Sequence, residues 1–370
     1  MPWTLSFYVG RRFLWSALMV FVVVFILVVL VDMIELLRSN SDGRADFLDL
    51  IGMALLRAPS ITITAAPFMI LLAAMLCFAM LARSSELVVT RAAGISVWRL
   101  IAPALVVAVA LGGFSFSVYN PVAAAFSERG TALEAKYFGR SVSRLSVGAG
   151  GIWLRQGDAE GQTVIRARRA SPTVERLRGV SVFEFGAEDR FARRIDARRA
   201  VLEDGRWRLS EARSWTIAAP GAGQGTAPEA AAHATLTLPT NLTPEQIQES
   251  FAPPRTISFW DLPGFIALLE ESGFSSSRHR LHWHSLMAAP AVFAAMVLFG
   301  AAFSMRHARF GGLGAMALGC VLTGFAYFFL SDIAGALGAS GAVPAALAAW
   351  GPPAAAALLA VGLLLHLEDG

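Results

Sequence analysis

The stretch FLWSALMVFVVVFILVVLV, residues 13–31, decides the fold class, with no charge over 19 positions. A helix needs about 20 apolar residues to cross a hydrocarbon core about 30 Å thick. Arg11 and Arg12 precede the run, as in a signal peptide. The apolar part of such a peptide is usually about 7–15 residues long and leads to a small-x-small cleavage site. Neither feature is present, so the run is expected to remain as a membrane span. Residues 59–81, 100–121, 286–304, 313–330 and 343–365 meet the same criterion. The expected fold is an α-helical polytopic membrane protein with six transmembrane helices. Pro67 should kink the second, because it removes a backbone donor.

Composition agrees. Of 370 residues, 55% are hydrophobic and 16% charged, against about 25% charged in soluble domains. Only Lys136 is a lysine, and 18 arginines fall in residues 127–255. There the pattern changes to a period of two, in Trp153-Leu-Arg, Thr163-Val-Ile-Arg-Ala-Arg, Val180-Ser-Val-Phe-Glu-Phe and Trp207-Arg-Leu-Ser. Such alternation predicts half-buried strands. Turn signals at 156–158, 171–172, 186–189 and 204–205 separate them, and 218–229 is a Gly/Ala/Pro excursion. A β-sandwich, jelly-roll or similar open β domain is expected between the third and fourth spans, over 127–255. It divides membrane segments 1–126 and 256–370. Ser258 and Asp261 then precede Leu262, Phe265, Ile266 and Leu269, which predicts a short amphipathic helix resting on the membrane surface before span four.

Orientation follows from the short loops. Arg11 and Arg12 lie before span one; Arg83, Arg91 and Arg99 oppose the lone acid Glu86 in loop two; Arg306 and Arg309 lie in loop four. Loop one has Asp32, Glu35, Asp42, Asp46 and Asp49 against Arg38, Arg44 and Arg57, and loop five has only Asp332. Both termini are therefore expected in the cytoplasm and the β domain outside.

Several chemistries are excluded. A P-loop needs GK[ST], and the only lysine sits in Ala135-Lys136-Tyr137, so the chain has no Walker site and no ATPase activity of that type. HExxH and GxSxG are also missing. Cys77 and Cys320 lie in apolar runs and are expected to be core residues. His279, His282 and His284 cluster with Arg278 and Arg280, but no acid or cysteine completes a coordination sphere. They are expected to form an interfacial basic patch, with no metal and no cofactor. No nucleic-acid motif accompanies the arginines. A secondary transporter would place ionisable groups at mid-membrane, and the spans are nearly free of charge. A sensory or structural protein would not need an apolar cytoplasmic loop.

That loop, RSSELVVTRAAGIS over 83–96, predicts a helix across 84–93, a stop at Gly94 and an N-cap at Ser96. Residues 87–89 and 92–93 are too apolar for a free loop. Physics alone leaves two accounts: an interfacial helix on the headgroups, or a coupling helix seated in a partner, with Glu86 pairing a basic residue there.

The same loop resembles the signature of the LptF/LptG permeases of the lipopolysaccharide export ABC transporter. The resemblance extends to Val31-Asp-Met-Ile-Glu-Leu-Leu-Arg, Ala65-Ala-Pro-Phe, Tyr119-Asn-Pro and Gly151-Ile-Trp-Leu-Arg, and the wording is closer to the LptG side. It implies an inner-membrane permease paired with LptF, whose periplasmic jelly-roll domain passes lipopolysaccharide towards LptC and the LptA bridge. It further implies an LptB ATPase dimer on the cytoplasmic loops. Arg83, Ser85, Glu86, Arg91 and Gly94 would then be coupling residues, Glu86 being the family's coupling acid. Where the family often has Lys or Arg beside aromatics, this chain has His282-Trp283-His284. An acylated, phosphorylated cargo needs an apolar space with cations at its rim. Asp32, Glu35, Arg38, Arg129 and Lys136 are the candidates near the outer interface, and Phe325, Tyr327, Phe328 and Phe329 could line the acyl space.

Overall fold

The computed structural model describes residues 3–40, 45–84, 86, 89–90, 94–138, 146–148, 151–158, 161–170, 175–185, 191–203, 205–216, 229–240, 253–271, 274–307 and 313–369. The helices are α1 (Trp3–Ser39), α2 (Phe47–Arg83), α3 (Val97–Phe114), α4 (Asn120–Phe138), α5 (Leu262–Glu271), α6 (Ser277–His307), α7 (Leu313–Ala339) and α8 (Ala345–Asp369). A π-helical turn, Ser115–Tyr119, joins α3 to α4. Two compact units result: Met1–Gly139 with Arg255–Leu262 and Ser277–Gly370, and Arg140–Pro254 with Pro263–Ser276. Ser85, Arg91, Asp42, Arg44, Arg309 and the turns at 171–172 and 186–189 lie outside the described residues, as does most of 218–229.

Among the described residues, six segments of the first unit are long and apolar enough to cross a membrane, the third running from α3 through the π turn into α4. α1 and α2 are each 37 residues long, about 55 Å of helix and nearly twice a bilayer core. The apolar run reveals only the middle of each. Their polar ends stay helical because few breaking residues interrupt them. α6 is the central helix, with 67% of its apolar window buried, against 17% for α1 and 11% for α7. The core gathers Phe13, Phe78, Ile101 and Met296 from four helices. At Gly112 the backbones of α3 and α6 nearly touch, since a Cβ there would lie 2.5 Å from the Pro290 Cα. Small residues allow such approach where lipid supplies no hydrophobic drive. A second cluster, with Leu36, Leu50 and Met53 joined by Leu133 and Tyr137, binds the end of α1, the start of α2 and the end of α4.

Among its described residues the second unit is built of strands and α5. Its strands are β1 (Ser146–Gly148), β2 (Gly151–Asp158), β3 (Gly161–Ala170), β4 (Arg176–Phe185), β5 (Phe191–Glu203), β6 (Arg206–Thr216) and β7 (Glu229–Pro239). They form one seven-stranded sheet in sequence order, each antiparallel to the next. Alternation places Leu154, Ile165, Val182 and Ile195 inward. The inward period then slips by one residue at a single level. The buried pairs Val180–Leu177, Ala197–Ala200 and Ala212–Leu209 are three apart rather than two. Ala167 pairs Val180, which pairs Ala197, which pairs Ala212, so the slips are in register. Gly179 and Glu211, both at this level, have φ of 62° and 53°. The pairings keep one register through this level, so the slip is shared by neighbouring strands and is not a bulge in one of them.

Two boundaries differ from the sequence-based expectation. Residues 127–138 are helical, as the continuation of α4. α5 groups with the strands, and its Leu269 and the following Phe274 are buried in the β core with Phe265 packed alongside. An amphipathic pattern states that one face is covered, and here protein covers that face of α5.

Candidate functional site

α2 ends at Arg83, and the Ser84 amide closes its last turn on the Met80 carbonyl at 3.1 Å. Glu86, Val89 and Thr90 are helical. Gly94 adopts φ of 75° while the Ile95 amide reaches back to the Thr90 carbonyl at 3.2 Å. This six-to-one bond with a left-handed glycine is a Schellman stop, at the expected residue. Ser96 has the backbone of an N-cap but makes no side-chain capping bond.

Glu86 is the most heavily engaged group of the loop. Its Oε1 accepts from Ser84 Oγ at 2.8 Å, Arg12 Nη1 at 3.1 Å and Tyr8 OH at 3.3 Å. The same Arg12 nitrogen lies 3.4 Å from Oε2 and also donates to Tyr8 OH. Partial burial raises the Glu86 pKa, but the Ser84, Arg12 and Tyr8 hydrogen bonds and the Arg12 charge outweigh it, holding the carboxyl below its ordinary range. Arg83 and Val89 are exposed beside it. The sequence pointed to Glu86 but not to Tyr8 and Arg12. Their spacing of four on one helix face was visible, but their partner lies 74 residues from Arg12.

The candidates at the other end of α1 separate. Asp32 is buried and pairs with Arg57 at 3.5 Å, which joins α1 to α2. Glu35, Arg38 and Arg129 are exposed, while Lys136 is placed only as a residue of α4. Leu36, Leu133 and Tyr137 share one cluster, so these helix ends meet.

Two cavities open within the helical unit. One, of about 340 Å³, lies among α2, α6 and α7, where Phe68, His282, Phe293, Tyr327, Phe328 and Asp332 contribute to its wall. The other, of about 250 Å³ and almost wholly apolar, lies among α1, α2 and α3 beside Leu14, Phe21, Ile70 and Leu111. Tyr327 and Phe328 thus lie on the wall of the larger cavity. Phe325 and Phe329 are exposed, the former edge-on to Phe68 at 5.7 Å. Asp32, Glu35, Arg38 and Arg129 are not among the residues lining these two cavities. Among the described residues no three His, Cys, Asp or Glu side chains converge to hold a metal.

A further connection was not anticipated. The buried Asn120 side chain accepts from the Phe259 amide at 2.8 Å, and Trp260 Nε1 donates to the Ser117 carbonyl at 3.1 Å. The accepting carbonyl lies within the π turn. Segment 255–262 is thereby stapled to span three.

Over residues 7–366 the chain matches the family model described as lipopolysaccharide export system permease LptF/LptG. It is 25% identical to the lipopolysaccharide export system permease protein LptG of Escherichia coli strain K12, over 97% of both chains. It is 23% identical to the protein of the same name from Haemophilus influenzae, over 92% of both. With six spans, a β insert and a match across nearly its whole length, the chain belongs to the LptF/LptG family of lipopolysaccharide export permeases and is a multi-pass inner-membrane protein.

Proposed function

We propose that the chain is the LptG-type half of a permease pair that extracts lipopolysaccharide from the inner membrane, driven by a separate LptB-type ATPase dimer. Both termini and the 83–96 loop face the cytoplasm, and the β unit faces the periplasm, where it passes cargo towards LptC and an LptA bridge. The low burial of α1 and α7 supports a partner there, since an LptF-type permease would cover part of these faces. Glu86 and its neighbours Arg83, Ser85, Arg91 and Gly94 form the region that meets the ATPase. Arg38 and Arg129 offer cations to phosphates, and Tyr327 and Phe328 a wall for acyl chains.

One observation carries this reading. α2 is continuous from Phe47 to Arg83, lines both cavities through Ile63 and Ala66, and ends directly in the loop. A push on the loop therefore reaches the cavity walls along one helix. The test is to purify the chain with a co-expressed LptF-type permease and LptB-type ATPase, reconstitute it in proteoliposomes and measure lipopolysaccharide release. Release that requires ATP and the ATPase supports the reading. Failure of the ATPase to co-purify, or release without it, refutes it.

A further inference from the structure

We infer that Arg12 and Tyr8 are positioning residues that clamp Glu86 to the start of span one, so that the loop moves α1 and α2 as one body. This rests on the loop being the ATPase docking region. It differs from the simpler idea that the Glu86 carboxylate is held for a cation on the partner.

Three donors from two helices converge on one carboxylate: Ser84 from the end of α2, with Arg12 and Tyr8 from α1. Arg12 also donates to Tyr8, which fixes the two α1 side chains against each other before either reaches the acid. Arg12 is only 21% exposed, whereas the Glu86 side chain is 39% exposed, so the contact lies at the bundle's edge with the cation on its inner side. A guanidinium held this way offers fixed, directional bonds that a freely hydrated ammonium would not.

The clamp is placed where such a link has an effect. Two residues after Arg12, Leu14 begins the α1 wall of the apolar cavity, continued by Ala17, Leu18 and Phe21. α2 supplies the facing wall through Ile63, Ala66 and Ile70. α1 already shares a core with α2 through Phe13 and Phe78 and is tied to it by Asp32–Arg57 at its far end; the clamp adds a polar link where the loop begins. With it, α1 follows, and the spacing of the two cavity walls is set by the loop. Arg83 and Val89 are exposed beside the clamp, open to a partner.

A charge exchange in the reconstituted permease–ATPase complex separates the two ideas. The quantity read is lipopolysaccharide released per ATP hydrolysed, with ATPase retention checked by co-purification. Arg12→Glu and Glu86→Arg alone should each lower the ratio about fivefold, the upper range for a partly exposed pair. The double exchange should return it to within about twofold of the parent, by the logic of a coupled pair. Tyr8→Phe, which removes one donor, should have a smaller effect in the same direction. Where a reversed charge prevents assembly, Arg12→Gln gives the same reading through a neutral side chain, and its ratio should also fall. A double exchange no better than the single variants would show Glu86 pairing across the interface and overturn the clamp, as would an unchanged ratio in Arg12→Gln. Absence of ATP-dependent release by the unaltered complex would instead refute the functional reading itself.

Discussion

Replacing Asn120 with alanine isolates the staple between span three and segment 255–262. Asn120 is 3% exposed and Phe259 7%, and the 2.8 Å bond between them is buried. Truncation removes the acceptor and leaves the Phe259 N–H without a partner. An orphaned buried donor costs about 1–3 kcal/mol, and hydrocarbon offers no replacement for it. The Phe116 ring, tilted at 4.9 Å, and the Trp283 ring, stacked at 6.3 Å, still pack on Phe259, so the local apolar cluster survives and the loss is confined to the bond. Hydrogen exchange by mass spectrometry on the intact detergent-solubilised protein measures it directly. The Phe259 amide should exchange about 5- to 150-fold faster, the kinetic equivalent of that cost. Trp260→Phe removes the neighbouring bond to Ser117, but Trp260 is 63% exposed, so its effect should be under about 1 kcal/mol. Unchanged exchange at Phe259 in Asn120→Ala would refute the reasoning, even if the variant were less stable overall.

Four other outcomes follow from the same coordinates. Gly112→Ala places a Cβ 2.5 Å from the Pro290 Cα; this should cost about 1–3 kcal/mol, seen as earlier dye labelling of buried Cys77 and Cys320 on heating. Gly113→Ala, where a Cβ meets nothing within 4 Å, is the control and should melt no earlier. Gly179→Ala forces a side chain into φ of 62° and against the Arg168 stem at 3.0 Å. It should cost about 1–2 kcal/mol and speed exchange in β3–β5. Arg57→Ala, which leaves the buried Asp32 carboxylate unpaired, should lower the melting temperature more than Asp32→Asn does. The Glu86 carboxyl has a depressed pKa, so its charge, and the contribution of the clamp, are fully present above the ordinary glutamate range and are lost only as pH falls through the depressed value. Release per ATP should therefore stay level between neutral and mildly acidic pH, and a fall at that stage would argue against an intact Arg12–Glu86 contact.

The membrane spans were legible because a bilayer imposes length and apolarity on contiguous residues, and 13–31 satisfies both without reference to anything else. The strands were legible for a related reason, since the alternation through Leu154, Ile165, Val182 and Ile195 is local. The shared slip was not, although each one, as at Ala197–Ala200, is present in its own strand. Only the registers reveal that the slips coincide. α5 shows the opposite limit: Phe265 and Leu269 mark a covered face, but spacing does not say whether lipid or protein covers it. In the loop, the Gly94 stop was readable because a left-handed terminus is a local backbone demand. The partners of Glu86 and of Asp32 were not, because a charge does not encode the address of its counterion. Asp32 even carried a misleading signal, a charged residue next to a span, which suggested solvent or headgroups where the fold supplies Arg57.

The two prolines of α2 add a mechanical argument to the proposed coupling. Pro59 and Pro67 cannot donate to the carbonyls of Leu55 and Ile63, so α2 lacks two bonds of its ladder in its middle third. Those positions lie at the cavities: Ile63 and Ala66 line both, and Pro67 and Phe68 line the larger. The stretch nearer the loop, from Met69 to Leu81, is fully bonded and contributes much of the buried core through Ala73, Ala74, Cys77 and Phe78. A helix stiff beside the loop and weakened at the cavities converts a push at Arg83 into a change of wall shape rather than a rigid slide. The expectation that Pro67 bends the span therefore acquires a location. Under the proposed function the weakened stretch would border the acyl space, and the end held by Ser84, Glu86 and Arg12 would receive the force.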